Sequence, residues 1–309
     1  MMRCPNCGKN YPDNARFCYD CGTALEAYIP TESKGKKAVK DILKAICYTI
    51  LFIAVQLLVL NAITTALVYA DPCYSTYVQN PELLEALIDE KTAMLLTENS
   101  AMVGIISSLV SVLIVSLFFT FRKKNIFEEA MIRPVKWKYV PLSALYGVSL
   151  FIFVSVTIIM LPIPTNMTDA VDEQYDALFG KTNIILEILN TAFLAGLVEE
   201  IFFRGLVFSR LKRGIGRIGA VVVSAVLFGL CHGAFVAVCY AAFLGIVFAI
   251  LTERRKSIVP GIICHIFFNA SNYFLIVDDL FVMFAMYFVS IAVLLIGSYV
   301  LFKKDTAEE

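Results

Sequence analysis

Gly196-Leu197-Val198-Glu199-Glu200-Ile201-Phe202-Phe203-Arg204 decides how this chain is read. Two carboxylates and a guanidinium sit inside an apolar run that extends over roughly 184–211. Crossing a bilayer takes about 20 mostly apolar residues. The run is therefore long enough to be a membrane helix, with ionisable groups where lipid would penalise them. Such groups usually face a protein interior or a wet cavity and mark a functional site.

Outward from this stretch lie further apolar runs, at roughly 42–70, 101–121, 139–161, 217–233, 234–252, 258–276 and 280–302. The composition agrees: 59% of the 309 residues are hydrophobic and only 17% are charged, whereas soluble domains are nearer half apolar. The predicted fold is all-α, a polytopic membrane bundle of about eight transmembrane helices. The formal net charge is zero, which gives no reason to expect nucleic acid as a partner. The first forty residues are polar and contain four cysteines, so no cleavable signal peptide is expected.

The loops alternate in charge. Lys34, Lys36, Lys37 and Lys40 precede the first run, and the loop 71–98 is acidic. Arg122, Lys123, Lys124, Arg133, Lys136 and Lys138 follow the second run, and the loop 162–181 carries Asp169, Asp172, Glu173 and Asp176. Arg210, Lys212, Arg213 and Arg217 follow the fourth, Arg254, Arg255 and Lys256 the sixth, and Lys303 and Lys304 the last. Lys and Arg favour the cytoplasmic side. This predicts a multi-pass protein of the cell membrane with both termini cytoplasmic. Residues 82–98 have helical periodicity, which fits an amphipathic helix on the outer surface or an ordinary loop helix. No internal repeat is evident, which weighs against a transporter built from duplicated halves.

The chain has two histidines, and both lie in apolar runs: Phe228-Gly-Leu-Cys-His232 and His265-Ile-Phe-Phe-Asn269. At about 1.5 Å of rise per residue, Glu199 lies about 16 Å in from Arg210, His265 about 12 Å in from Ser257 and His232 about 22 Å in from Arg217. Glu200 and Arg204 are four apart and share a helix face. They can neutralise each other, while Glu199 points about 100° away and is left for chemistry. His265 and Asn269 are also four apart and present two donors to one cavity. A carboxylate and an imidazole can deprotonate a water, and a second imidazole with an amide can stabilise an oxyanion. Two histidines and a glutamate are equally a first shell for catalytic zinc. The residues leave both open, although the absence of H-E-x-x-H excludes a standard zincin helix.

At the N-terminus, Cys4-Pro-Asn-Cys7 and Cys18-Tyr-Asp-Cys21 form two C-x-x-C knuckles ten residues apart. Two such knuckles close a tetrahedral Cys4 zinc site with no open position. So small a segment needs the metal for its folding energy. The zinc is therefore expected to be structural, and a reducing cytosol keeps the thiols available. The segment resembles the zinc-ribbon modules found at the N-termini of many bacterial membrane proteins.

The three motifs E-E-x-x-x-R, F-x-x-x-H and H-x-x-x-N, in that order on late helices, resemble the CPBP family of intramembrane proteases. That family contains the CAAX prenyl endopeptidases and the bacterial Abi-type bacteriocin-immunity proteins. The resemblance covers roughly 140–302. It implies that Glu199 and His232 activate a water, that His265 and Asn269 form the oxyanion site, and that Glu200, Arg204 and Phe228 support them. It implies a membrane-associated protein or peptide as substrate, and it favours a glutamate-activated water over a catalytic metal. The implied organisation is a ribbon over 1–24, a basic linker over 25–41, two N-terminal membrane helices with an acidic outer loop over 42–138, a catalytic core over 139–302 and a tail over 303–309. The competing expectation is a non-catalytic membrane scaffold or regulator, or an immunity protein, that uses the same fold and meets a cytoplasmic protein partner through the ribbon.

Overall fold

The computed structural model describes residues 2–4, 6–11, 18, 20, 21, 23, 34–164, 167, 183–275, 277 and 279–303. Most of the linker 25–41, the acidic residues Asp169, Asp172, Glu173, Asp176 and Asp278, and the tail beyond 303 lie outside the described residues. The chain divides into two compact units, Met1–Lys40 and Asp41–Glu309. In the first, β1 (Met2–Arg3) and β2 (Asn10–Tyr11) pair antiparallel, with Met2 opposite Tyr11 and Arg3 opposite Asn10.

The remaining described elements are helical. They are α1 (Lys34–Ala70), α2 (Tyr74–Tyr77), α3 (Pro81–Thr97), α4 (Ser100–Phe121), α5 (Ile126–Glu129) and α6 (Tyr139–Met160). Next come α7 (Ile184–Glu187), a π-helical segment Ile188–Leu194, α8 (Ala195–Glu199) and a second π-helical segment Glu200–Phe208. Then follow α9 (Ser209–Leu230), α10 (Phe235–Arg255), α11 (Val259–Phe274) and α12 (Leu280–Phe302). Residues 82–98 are thus largely helical: Asn80 caps α3 by accepting from the amides of Glu82 and Leu83, and Pro81 occupies the first turn, where its missing N–H costs nothing.

Among the described residues, five helices are long and apolar enough to cross a membrane: Gly35–Ala70, Ser100–Phe121, Tyr139–Met160, Phe235–Arg255 and Leu280–Phe302. The other three apolar runs fall short of that description for separate reasons. The stretch 184–208 alternates α and π turns and carries Glu187, Glu199, Glu200 and Arg204. α9 contains four basic residues in its first half and breaks at Gly216, whose φ of 79° and ψ of 177° are not helical. α11 has 16 residues, or about 24 Å of helix against a hydrocarbon core of about 30 Å. Arg210, expected in a loop, is instead inside α9 and buried. Its guanidinium pairs with the Glu129 carboxylate, donates to the Glu129 carbonyl at 2.9 Å and lies over the Tyr48 ring at 5.3 Å.

Lipid supplies no hydrophobic drive between helices, so close approach through small residues does the packing. α6 runs against α11 and α12. Gly147 makes the first contact possible, because a Cβ there would lie 2.2 Å from the Cys264 carbonyl oxygen. Two of the three apolar clusters among the described residues involve α11. One joins Phe52, Val115, Phe119, Val198, Phe202, Phe203 and Phe228. The other joins Tyr146, Leu150, Phe248, Leu251, Cys264 and Phe268. At the end rich in basic residues, Glu253 pairs with Lys212, Arg217 and Lys256, and Asp41 pairs with Arg213.

Candidate active site

The Glu199–Glu200 pair sits where α8 gives way to the second π-helical segment. π turns within helices are rare and recur at functional sites. Glu200 is fully buried, and its Oε1 lies 3.1 Å from Arg204 Nη1. The Arg204 guanidinium is 1% exposed. Its Cζ lies 4.1 Å from the centre of the Phe228 ring and 5.3 Å from that of Phe248. Two aromatic faces thus hold a buried cation, which attracts their ring quadrupoles. The self-neutralising pair read from the spacing is present.

His265 reaches the same carboxylate from α11. Its Nδ1 donates to Glu200 Oε1 at 3.2 Å, and its Nε2 lies 3.8 Å from Glu199 Oε2. The ring therefore stands between the two glutamates, packed on Phe248 at 5.1 Å and on Phe228 at 6.0 Å. Glu199 has an imidazole nitrogen closer than its helix spacing implied, supplied by α11 rather than by its own helix. Its side chain is 19% exposed, against none for Glu200, so of the two carboxylates Glu199 is the one open to a ligand. Gly261 packs closely beside this site: a Cβ there would lie 3.0 Å from Glu200 Oε2.

His232 closes α9. Its Nδ1 donates to the Phe228 carbonyl at 2.9 Å, and its ring lies 4.6 Å from the Phe228 ring. A carbonyl can only accept, so the hydrogen of this bond is on Nδ1. Phe228 thus touches His232 on one side and Arg204 and His265 on others. Asn269 lies one turn beyond His265, but its Nδ2 donates to the Thr191 carbonyl at 2.7 Å. The free amide donor expected beside His265 is thereby engaged with the first π-helical segment.

Several residues of this neighbourhood were missed in the sequence. Thr191 donates to the Glu187 carbonyl and meets the Tyr273 hydroxyl at 2.6 Å. The signal was there, since Glu187, Asn190 and Thr191 are polar residues inside an apolar run. Phe248 gave none, because one more phenylalanine in an apolar helix cannot be told from lipid-facing filler. Beside the site, a cavity of about 570 Å³ between the end of α6 and the start of α10 is lined by Phe153, Phe235, Val236, Cys239, Tyr240 and Phe243, among others.

In the N-terminal unit the four cysteine sulfurs lie within 4.8 Å of one another. Cys4 and Cys21 are 3.6 Å apart, and Cys7 and Cys18 are 3.4 Å apart. A disulfide needs about 2.05 Å, whereas zinc with tetrahedral bonds of about 2.3 Å spaces its sulfurs at roughly 3.8 Å. The cluster fits zinc. The two knuckles close alike: the Cys4 amide donates to the Lys9 carbonyl at 2.8 Å and the Cys18 amide to the Thr23 carbonyl at 2.9 Å. Gly8, at φ 76°, turns the first knuckle in a conformation that side chains disfavour. Burial pushes the Cys18 thiol up, but hydrogen bonds from Cys21, Asp20 and Cys7 outweigh it and bring it down to about 6, while its partner Cys7 is pushed up to about 12, so the two share one proton. A thiolate is the form that binds metal.

Residues 181–271 match the family model of the Type II CAAX prenyl endopeptidase Rce1-like proteins. Residues 3–25 match a zinc-ribbon domain. No curated protein and no solved structure matches the chain. The first match includes Thr191, Glu199, Glu200, Arg204, Phe228, His232, Phe248, His265 and Asn269, and the second all four cysteines. Over 181–271 the chain is therefore similar to the Rce1-like CAAX prenyl endopeptidase family, and over 3–25 to a zinc ribbon.

Proposed function

We propose that the protein is an intramembrane endopeptidase in which Glu199 and His232 activate a water and His265 and Asn269 bind the oxyanion. The observation that carries the reading is the division of labour between adjacent glutamates. Glu200 is locked between Arg204 and His265, while Glu199 keeps a partly exposed carboxylate. In the reaction, the water oxygen bonds to the scissile carbonyl carbon as Glu199 takes a proton, with the lone pair of His232 Nε2 as second acceptor. The carbonyl oxygen becomes an oxyanion. The C–N bond then breaks, and the proton returns to the leaving amine. His265 Nε2 stands 3.8 Å from Glu199 Oε2, beyond hydrogen-bond distance, and would have to close on it to exchange a proton. For Asn269 to serve the oxyanion, its amide must leave the Thr191 carbonyl or use its second N–H.

The apolar cavity lined by Phe153, Phe243 and Tyr240 suits a substrate segment already in the membrane. The alternating loop charge supports eight crossings with both termini in the cytosol, an organisation in which α7 to α9 and α11 also traverse the bilayer as parts of the bundle. The ribbon, which hydrolysis does not need, supports recruitment of a cytoplasmic protein partner. The zinc it fits has a structural role there.

The test compares wild type with Glu199→Gln and Glu200→Gln in a peptidomic assay of membranes expressing each. Loss of a general base costs about 10²–10⁴ in rate. Glu199→Gln is expected to abolish the cleavage products while leaving thermal stability unchanged. Glu200→Gln is expected to lower stability. Identical peptide profiles for wild type and Glu199→Gln refute the enzyme and leave the scaffold.

A further inference from the structure

Asn269 continues the face of α11 that carries His265, and Tyr273 continues it again, each four residues on. All three side chains reach the 184–208 stretch. His265 meets Glu200 and stands near Glu199. Asn269 and Tyr273 meet a single residue between them, Thr191. The Asn269 Nδ2 donates to the Thr191 carbonyl at 2.7 Å, and the Tyr273 hydroxyl lies 2.6 Å from Thr191 Oγ1. The donors of this cluster can be assigned. Thr191 Oγ1 gives its hydrogen to the Glu187 carbonyl at 2.8 Å. A hydroxyl has one hydrogen, so in the second contact Tyr273 donates to Thr191. The outcome is an ordered chain from Tyr273 to Thr191 to Glu187, in which Thr191 is held at its hydroxyl and at its carbonyl by two residues one turn apart on α11.

The π winding supplies the acceptor. In an α-helix the Ala195 amide would donate four residues back, to the Thr191 carbonyl. Here it donates five back, to the Asn190 carbonyl. The Thr191 carbonyl is thereby released from its α-helical partner and takes the Asn269 N–H. π turns within helices recur at functional sites, and this one turns a backbone acceptor towards the second member of the His265–Asn269 pair. Asn269 carries two N–H donors on one planar group. With one engaged by Thr191, the plane of the carboxamide is set, and the direction of the second N–H with it. Stabilising a developing charge depends on donors that are already in position.

We infer that Thr191, braced by Tyr273, is a positioning residue for the Asn269 carboxamide, holding one N–H so that the second is presented to the oxyanion. This role rests on the endopeptidase reading and specifies how Asn269 serves it without leaving the Thr191 carbonyl. The competing role for the same contacts is polar fastening between helices, which acts on stability and not on the rate of each folded molecule.

The test uses membranes expressing the full-length wild type, Thr191→Val, Thr191→Ser and Tyr273→Phe. The readout is the initial rate, per folded molecule, at which peptides made by wild type and not by Glu199→Gln appear. Misplacing a reacting group by 1 Å can cost about 10² in rate, so Thr191→Val and Tyr273→Phe are each expected to slow cleavage about tenfold. Thr191→Ser keeps the hydroxyl and its tie to Tyr273 and is expected to recover most of the rate. The double variant Thr191→Val, Tyr273→Phe is expected to be no slower than Thr191→Val, because the two act in series. Should Thr191→Val fail to fold, Tyr273→Phe, which removes one oxygen atom, decides by itself. Unchanged rates per folded molecule in Thr191→Val and Tyr273→Phe, whatever their stability, overturn the inference and leave only the fastening. A Thr191→Ser protein as slow as Thr191→Val overturns it as well, since the hydroxyl is then not what matters. Both results leave the endopeptidase reading standing. Wild-type membranes that yield no peptides dependent on Glu199 overturn that reading, and the positioning role with it.

Discussion

Replacing Arg204 by methionine removes the charge that the site is built around and nearly keeps the volume. The guanidinium is 1% exposed and its partner Glu200 is fully buried. Breaking a buried ion pair by removing one member typically costs about 3–5 kcal/mol, because the other charge is left uncompensated. The faces of Phe228 and Phe248, at 4.1 and 5.3 Å, add about 0.5–2 kcal/mol of cation–π attraction that methionine does not reproduce. The single variant should therefore lose about 4 kcal/mol. The double variant Glu200→Gln, Arg204→Met should recover much of that, since no charge is stranded and His265 Nδ1 still finds an amide oxygen. The coupling between the two sites should be about 2–3 kcal/mol. The assay is reversible denaturation of the four proteins of the cycle in detergent micelles, read by helix content. Additive losses, or a cost for Arg204→Met below about 1 kcal/mol, would mean that the pair is not the organising contact of the site.

Other outcomes follow from the packing and from the ribbon. Gly147→Val places a side chain against the Cys264 carbonyl, 2.2 Å from the Cβ position; it should cost about 1–3 kcal/mol or more and separate α6 from α11, measured by loss of folded monomer on size exclusion. Chelation, or Cys4→Ala with Cys18→Ala, should remove a single bound zinc and unfold the N-terminal unit, while the melting of the membrane unit stays unchanged; zinc that persists in a chain lacking residues 1–30 would place metal elsewhere. Acidification should loosen the tie between α5 and α9, because Glu129 is held below its ordinary carboxylate value: burial opposes this, and Lys124 and Arg210 outweigh it. That contribution is full above the ordinary value of 4.5 and is lost as pH falls below it, so Glu129→Gln should flatten the acid limb of a pH–stability curve.

What could be read without coordinates was the chemistry carried by rare residues. Four cysteines, two histidines and three charges in apolar runs announced themselves, and Glu200, Arg204, His265 and Phe228 do converge. The Glu200–Arg204 contact was legible because four residues is a helical neighbour distance and tolerates a π turn. Contacts between helices were not. That Asn269 donates to the Thr191 carbonyl, that Phe248 backs both Arg204 and His265, and that Arg210 lies inside a helix instead of a loop all depend on which faces meet. A lone sequence carries no term for that choice. The apolar runs were legible as helices, but run length overstated their regularity at 184–211, where π turns change which residues share a face.

The π segment explains how one imidazole comes near two consecutive glutamates. In a regular α-helix, adjacent residues point about 100° apart, so one imidazole from a neighbouring helix would be expected to meet only one of two consecutive glutamates. His265 meets both, through opposite ring nitrogens, at 3.2 and 3.8 Å. The change from α to π winding falls between Glu199 and Glu200, and it widens the turn where the ring inserts. Gly261 on α11 keeps that insertion possible, since any side chain there would crowd Glu200 Oε2. A carboxylate fixed by Arg204 orients the imidazole, and the oriented imidazole faces a second carboxylate that is still exposed. A single glutamate could be fixed or exposed, but not both, and the doubled residue on an irregular helix separates those two requirements.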